Sequence, residues 1–261
     1  MEGITISIIV GILIVFGALA IVGVISVRKI KNSEDFVVAG KRANPVMVAG
    51  TILCAIVGSG GTIGTAQTAF TYGLVGWWQT LGLSIGCFIL GCCLSQFIYK
   101  LTKAQTISQV MKYTYGNKIV TVTAIFSSLA IFFSILSQSK GFIPLLTSIM
   151  NVSDTTAAVV CFVLVCAFVV FGGIFANSVG GLIKMAVIYV GIIISAVIAL
   201  SATNGFSGIT EALGSGVWSM FARSNEQNGS LYDIGVGVGF VLGVLVTQTY
   251  IQAVLSAKDA K

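Results

Sequence analysis

The chain contains no histidine, only two prolines (Pro45 and Pro144) and little charge: 8% of its 261 residues are Asp, Glu, Lys or Arg. Each shortage excludes something. Without histidine the commonest general base and a main zinc ligand are missing. No acidic residue lies well inside an apolar run either, which argues against an intramembrane enzyme. A soluble domain needs roughly 25% charge to cover its surface, far more than is present. With proline so scarce, interruption of helices falls to glycine, of which there are 31. The six cysteines (Cys54, Cys87, Cys92, Cys93, Cys161 and Cys166) all fall inside apolar runs. They read as buried small hydrophobes rather than a disulfide framework.

What is present is long and apolar. Hydrophobic types make up 56% of the chain, and its mean hydropathy is +1.03. The pattern predicts an all-α polytopic membrane protein with seven spanning segments: 4–27, 45–72, 75–99, 119–149, 155–176, 179–201 and 234–255. Each reaches the roughly 20 residues needed to cross about 30 Å of hydrocarbon. The first is expected to be a retained helix, because Met1-Glu2-Gly3 provides no basic flank and the run exceeds a signal peptide's apolar core of about 7–15 residues.

Cationic residues in short loops set the orientation. Arg28, Lys29, Lys31, Lys41 and Arg42 follow the first span; Lys100, Lys103, Lys112 and Lys118 follow the third. Lys184 is expected just after the next turn on that side, and Lys258 and Lys261 follow the last span. The other side carries Glu2, Asp154, Glu211, Glu226 and Asp233, with Arg223 as its one clear cation. The N-terminus is therefore expected outside, the C-terminus in the cytoplasm, and the host membrane to be the plasma membrane. The net charge of +6 is accounted for by this asymmetry, so no nucleic-acid partner is implied. "TISQVMKYTYG" (106–116) predicts a short surface helix capped at Thr106 and stopped by glycine. "GITEALGSGVWSMF" (208–221) predicts an interfacial helix with Trp218 at the headgroups.

The second span contains "AIVGSGGTIGTA" (55–66), with Gly58, Gly60, Gly61 and Gly64. No lysine follows as a phosphate-binding loop requires, and position 63 is isoleucine where a dinucleotide fingerprint needs its last glycine. Two readings remain. Gly60 and Gly64, four apart, are spaced for close helix packing. The same role is expected of Gly82, Gly86, Gly172, Gly173, Gly180, Gly181, Gly235, Gly237 and Gly239. Alternatively the helix is broken. The span's 28 residues would extend about 42 Å as one helix, and each interior glycine costs roughly 1 kcal/mol against alanine. Gly58-Ser59-Gly60-Gly61 concentrates that cost in one turn. The carbonyls an unwound turn frees persist only where they are buried or line a site, and as hard oxygen ligands they suit Na⁺. The break is the preferred reading for this cluster.

These residues resemble the sodium:solute symporter family. "SEDFVVAGKRANP" (33–45) resembles the loop before the family's first core helix. "VAGTILCAIVGSGGTIGTAQTAFTYGLVGWW" (48–78) resembles that helix and the turn into the next. "QTYIQAVLSAKDAK" (248–261) resembles the Gln-Arg-x-x-x-Ala-Lys-Asp ending of the sixth core helix. The resemblance implies a leucine-transporter-type fold of two inverted five-helix repeats behind one extra helix. On that map 4–27 is the extra helix, 45–201 the first repeat and 234–255 the first helix of the second, so 1–261 is a single transmembrane domain covering about the first half of a family member.

The resemblance also implies a sodium ion held by the backbone carbonyls of Cys54 and Val57, together with hydroxyls of a later helix. It places a small organic solute against Ile56, Gly58, Ser59, Gly60, Gly61 and Thr62, with Gln79, Thr80, Phe240 and Gly243 as further contacts. Four departures prevent the substrate being borrowed from any one relative. Ile56 and Gly61 are apolar where some relatives are polar, Gly58 replaces a frequent serine, and Ala253 replaces the usual arginine. Lys140, well along the fourth span, is expected to snorkel or sit in an aqueous vestibule; Gln67, Gln138, Asn177 and Gln248 are expected to bond between helices, and Trp77 and Trp78 to anchor at the interface.

The function implied is Na⁺-coupled symport of a small organic solute by alternating access. A solute-gated channel or membrane solute sensor is the alternative. The partners are the solute, Na⁺ as co-transported ion, and the lipid bilayer.

Overall fold

A computed structural model describes residues 2–27, 30–101, 104–221 and 229–259. Arg28, Lys29, Lys103, Arg223, Glu226 and Lys261, counted above for orientation, lie outside the described residues. Twelve α-helices are found among those described: α1 (Glu2–Val27), α2 (Ser33–Val38), α3 (Pro45–Ile56), α4 (Thr65–Tyr72), α5 (Trp77–Ile89), α6 (Ser95–Lys100), α7 (Ile107–Tyr115), α8 (Asn117–Met150), α9 (Asp154–Ala202), α10 (Phe206–Leu213), α11 (Gly229–Val246) and α12 (Gln248–Leu255). Four helical stretches among them are long and apolar enough to cross a membrane. Large apolar side chains face outward: Phe70 is 83% exposed and Phe88 70%. A soluble surface does not tolerate such a belt, whereas a lipid-facing one requires it.

Local chemistry explains most boundaries. Asn44 accepts the Met47 N–H and Pro45 occupies the first turn, a pairing that starts α3. Thr106 accepts from the Gln109 N–H, and Gly116, at φ 80°, ends α7, as the sequence predicts. Ser153 caps α9. The predicted interfacial helix is α10 followed by a 3₁₀ turn (Ser215–Trp218), and the indole N–H of Trp218 donates to Thr210 Oγ1 at 2.8 Å.

The expected turn between the fifth and sixth spans is absent. Its residues, Asn177 and Ser178, lie inside the 49-residue helix α9. No proline stands at the joint. Ser178, the residue best suited to cap a new helix, bonds back to the Ile174 carbonyl at 2.8 Å and across to Thr51 Oγ1 at 2.6 Å. That back-bonding keeps it inside the helix.

Close backbone approaches set the packing. Added Cβ atoms at Gly82 and Gly86 would strike Gly237 O and Val244 respectively, which seats α5 on α11. Gly50 of α3 and Gly181 of α9 meet backbone to backbone: a Cβ on either would strike the other helix. Gly180 rests on Leu19 of α1. Gly82, Gly86, Gly180 and Gly181 are packing glycines the sequence predicts; Gly50 is one it does not mark. Gly235 and Gly239 are predicted but are not packing glycines, since nothing lies within 4 Å of their Cβ positions. The surroundings of Gly172 and Gly173 lie outside the described residues.

Three segments expected on the cytoplasmic side converge at one end. Ala43 pairs with Ala257, Gln252 Nε2 donates to Val37 O, Tyr99 Oη donates to Lys258 O at 2.6 Å, and the Ile107 N–H donates to Gln248 Oε1 at 2.6 Å. Beneath them Val38, Leu90, Ile98, Tyr250, Ile251 and Leu255 belong to one buried cluster. Asp35, 3% exposed, bonds Arg42 and the Lys31 N–H. The backbone N–H of Lys31 and the Arg42 guanidinium outweigh burial and hold the Asp35 carboxyl below the usual carboxylate range. Two loop regions meet at the opposite end, where the Trp78 indole N–H donates to Met220 O at 2.8 Å and Gly73 abuts Val217. Trp78 is thus tied to a protein loop.

Candidate functional site

The second span is broken where the glycines cluster. α3 ends at Ile56, Val57 has φ −86° and ψ 77°, and the chain resumes in a π-helical turn, Gly60–Gly64, before α4. At Gly58 the hydrogen-bond ladder slips: its N–H donates to Ile56 O, not to Cys54 O four residues back. The Cys54 carbonyl is left without its helical partner, and the ψ of Val57 turns its carbonyl away from the helical direction.

Two other helices supply what the break lacks. Gln138 of α8 lies against it: Ser59 Oγ is 2.8 Å from both the carbonyl oxygen and Oε1 of Gln138. The Gly60 N–H donates to the same Oε1 at 3.2 Å, which fixes that end of the amide as the oxygen. Gly141, one turn on, makes room, because a Cβ there would sit 2.7 Å from Ser59 Oγ. A Cβ at Gly58 would collide with the Gln138 amide. From α9, Lys184 Nζ donates to Cys54 O at 3.2 Å. Thr62 Oγ1 donates to Gly58 O at 2.9 Å.

The break also leaves room. Nothing lies within 4 Å of a Cβ built at Gly60, and only Ser59 O, at 3.9 Å, near one at Gly64. No neighbouring helix fills the side-chain space of either glycine, so at this cluster the broken-helix reading holds over the packing reading. Gly61 is tighter, with its Cβ position 3.1 Å from Ile56 O.

The anticipated site residues divide into two groups. Cys54, Val57, Gly58, Ser59, Gly60, Gly61 and Thr62 lie together at the break. Ile56 offers its carbonyl there, while its side chain packs on the buried cluster that includes Val244 and Ile251. Gln79 and Thr80 lie on α5 and make no hydrogen bond to the break among the described residues. Phe240 packs beside Gly82. Gly243 accepts the Thr247 N–H at 3.0 Å.

Three features escaped the sequence reading. Lys184 is not at a cytoplasmic turn: it projects from α9 onto the end of α3. Gln138 bonds between helices as expected, but its partner is the break itself. The seventh span is also broken: Thr247 is extended at φ −80°, ψ 130° between α11 and α12. The polar "TQT" (247–249) inside an apolar run was the available signal. Lys140 is exposed on α8, and Gln67 is exposed on α4.

Two interrupted helices beside one apolar cluster, in a bundle with a lipid-facing belt, are the arrangement of a polytopic membrane transporter. A family model, the sodium:solute symporter family, matches residues 36–261, and the chain belongs to that family. Its members are transporters rather than enzymes, and the family couples solute movement to Na⁺. No curated protein and no solved structure matches the chain.

Proposed function

We propose that this protein carries a small organic solute together with Na⁺ by alternating access, with the break at Gly58–Gly61 as the solute subsite. The observation that carries the reading is the interruption between α3 and α4. Polar backbone and hydroxyl groups cluster there beside open space at Gly60. The carbonyls of Cys54 and Val57 are the first-repeat donors to Na⁺: both belong to the terminus of α3, whose dipole favours a cation. Ile56, Ser59 and Thr62 border the solute, and Gln79, Thr80, Phe240 and Gly243 approach it when the bundle rocks. The first repeat occupies 45–201 behind the extra helix 4–27, and the second repeat opens at 234. The N-terminus faces outside and the C-terminus the cytoplasm of a plasma-membrane protein.

The test is uptake of labelled small organic solutes into vesicles carrying the protein, under an inward Na⁺ gradient or with choline in place of Na⁺. Saturable uptake that collapses in choline is expected. Uptake indifferent to Na⁺ refutes sodium coupling, and H⁺ is then the nearest alternative. Ion currents without saturable solute uptake would indicate a channel. Gly60→Val is the informative variant, because its side chain enters open space. It should reduce uptake by about tenfold or more while leaving the thermal unfolding midpoint nearly unchanged.

A further inference from the structure

Lys184 has no role in the reading above, yet its ammonium lies 3.2 Å from the carbonyl oxygen that reading assigns to Na⁺. The placement is built into the fold. α3 and α9 approach so closely at Gly50 and Gly181 that a Cβ at Gly181 would come within 2.9 Å of Cys54 Cβ. Residue 184 is three further along α9, so it shares the face of Gly181 and falls over Cys54. The carbonyl it meets is the one orphaned when the Gly58 N–H turned to Ile56 O. Cys54 is also two residues from the end of α3, within the last turn, where a helix attracts positive charge. No carboxylate pairs with Lys184 among the described residues, whose one salt bridge is Arg42–Asp35. A lysine inside an apolar span is costly to insert, and the one hydrogen bond this ammonium makes among the described residues is to a backbone carbonyl, the kind of oxygen that would hold a sodium ion.

We propose that Lys184 is a tethered competitor for Na⁺. Its ammonium occupies the Cys54 carbonyl until Na⁺ displaces it, and this sets a low Na⁺ affinity. Displacement frees the Lys184 contact between α9 and α3, so ion binding is felt directly at a helix-to-helix contact beside the solute subsite. The inference rests on the sodium-site reading of Cys54 and Val57, and the experiment separates the two.

The measurement is equilibrium binding of ²²Na⁺ to the purified protein in nanodiscs, for wild type, Lys184→Met, Lys184→Gln and Lys184→Arg. Removing the charge-assisted bond should tighten Na⁺ binding about tenfold or more in the Met and Gln variants, with the Arg variant close to wild type. A lysine that only supported the fold would weaken binding when removed, so unchanged or weaker Na⁺ binding in both neutral variants overturns the proposal. Absence of saturable ²²Na⁺ binding in all four proteins overturns the sodium-site reading itself, and the proposal with it.

A second readout needs no variant. Reductive methylation of Lys184, followed by mass spectrometry, should be slow in choline and should accelerate as Na⁺ is added. A rate that does not respond to Na⁺ concentrations that saturate ²²Na⁺ binding overturns the proposal.

Discussion

At Gly58 the missing side chain decides where Gln138 lies. The amide fills the space a Cβ would take, and from there its oxygen receives both the Ser59 hydroxyl and the Gly60 N–H. Gln138→Leu keeps the bulk and removes the side-chain acceptor: the Gly60 N–H loses its partner, while the Ser59 hydroxyl keeps only the Gln138 backbone carbonyl. The expected cost is about 1 kcal/mol, between the average of about 0.6 for side-chain bonds between membrane helices and the roughly 1–3 for an unsatisfied buried group. It should be read as a lower melting point in detergent. Gly58→Ala should show the same loss, because its methyl must push the amide away. A melting point unchanged in both variants would mean that Gln138 does not support the break. Glycine itself was conspicuous in the sequence here. Its partner was not, because a glutamine in an apolar span has several helices it can address and the sequence does not choose among them.

Among the elements, α3 and α9 form the tightest joint, and two glycines set it. Gly181→Ala should destabilise the protein by more than the roughly 1–3 kcal/mol of ordinary overpacking, because the obstruction is the backbone of Gly50 and cannot rotate away. Gly191→Ala, on the same helix with nothing within 4 Å of its Cβ, should be neutral or stabilising by up to about 1 kcal/mol from helix propensity. Thermal melts of the two variants check the contrast, and equal shifts would refute the joint. Sequence spacing marked Gly180 and Gly181 as packing residues but marked Gly235 and Gly239 equally. Four-residue spacing identifies a smooth helix face, not the neighbour that uses it. The same limit explains the turn expected between the fifth and sixth spans. Two apolar runs of spanning length imply a turn, but the Ser178 hydroxyl, committed to Ile174 O and Thr51, was free in the sequence to do otherwise.

Over the whole molecule, the loop before α3 and the segment after α12 close one end of the bundle. Two of the three stretches that carry the family resemblance lie in that closure, through the Ala43–Ala257 pairing and the Gln252–Val37 bond. Asp35 organises the loop from within. Because its carboxyl is held below the ordinary range, the stability it supplies is fully present above the unfolded-state value of about 3.9. That stability is lost as pH falls through the lower folded-state value. The melting point of the wild-type protein should therefore drop on acidification below about pH 4, and Asp35→Asn should flatten that limb while lowering the plateau at neutral pH. An acid limb of the same depth in both proteins would show that other carboxylates govern it.

Composition and periodicity by themselves determined that this is a helical membrane protein and that its second span breaks at Gly58–Gly61. Those properties follow from apolar run length and the local cost of clustered glycine, both of which are additive along the chain. The tertiary structure decided the rest. It set Gln138 and Lys184 onto the break, continued α9 through an expected turn, and interrupted the last span at Thr247. Each of these depends on which backbone group is left without a partner, and on which distant side chain the packing brings within 3 Å or so to satisfy it. No spacing along the chain records that pairing.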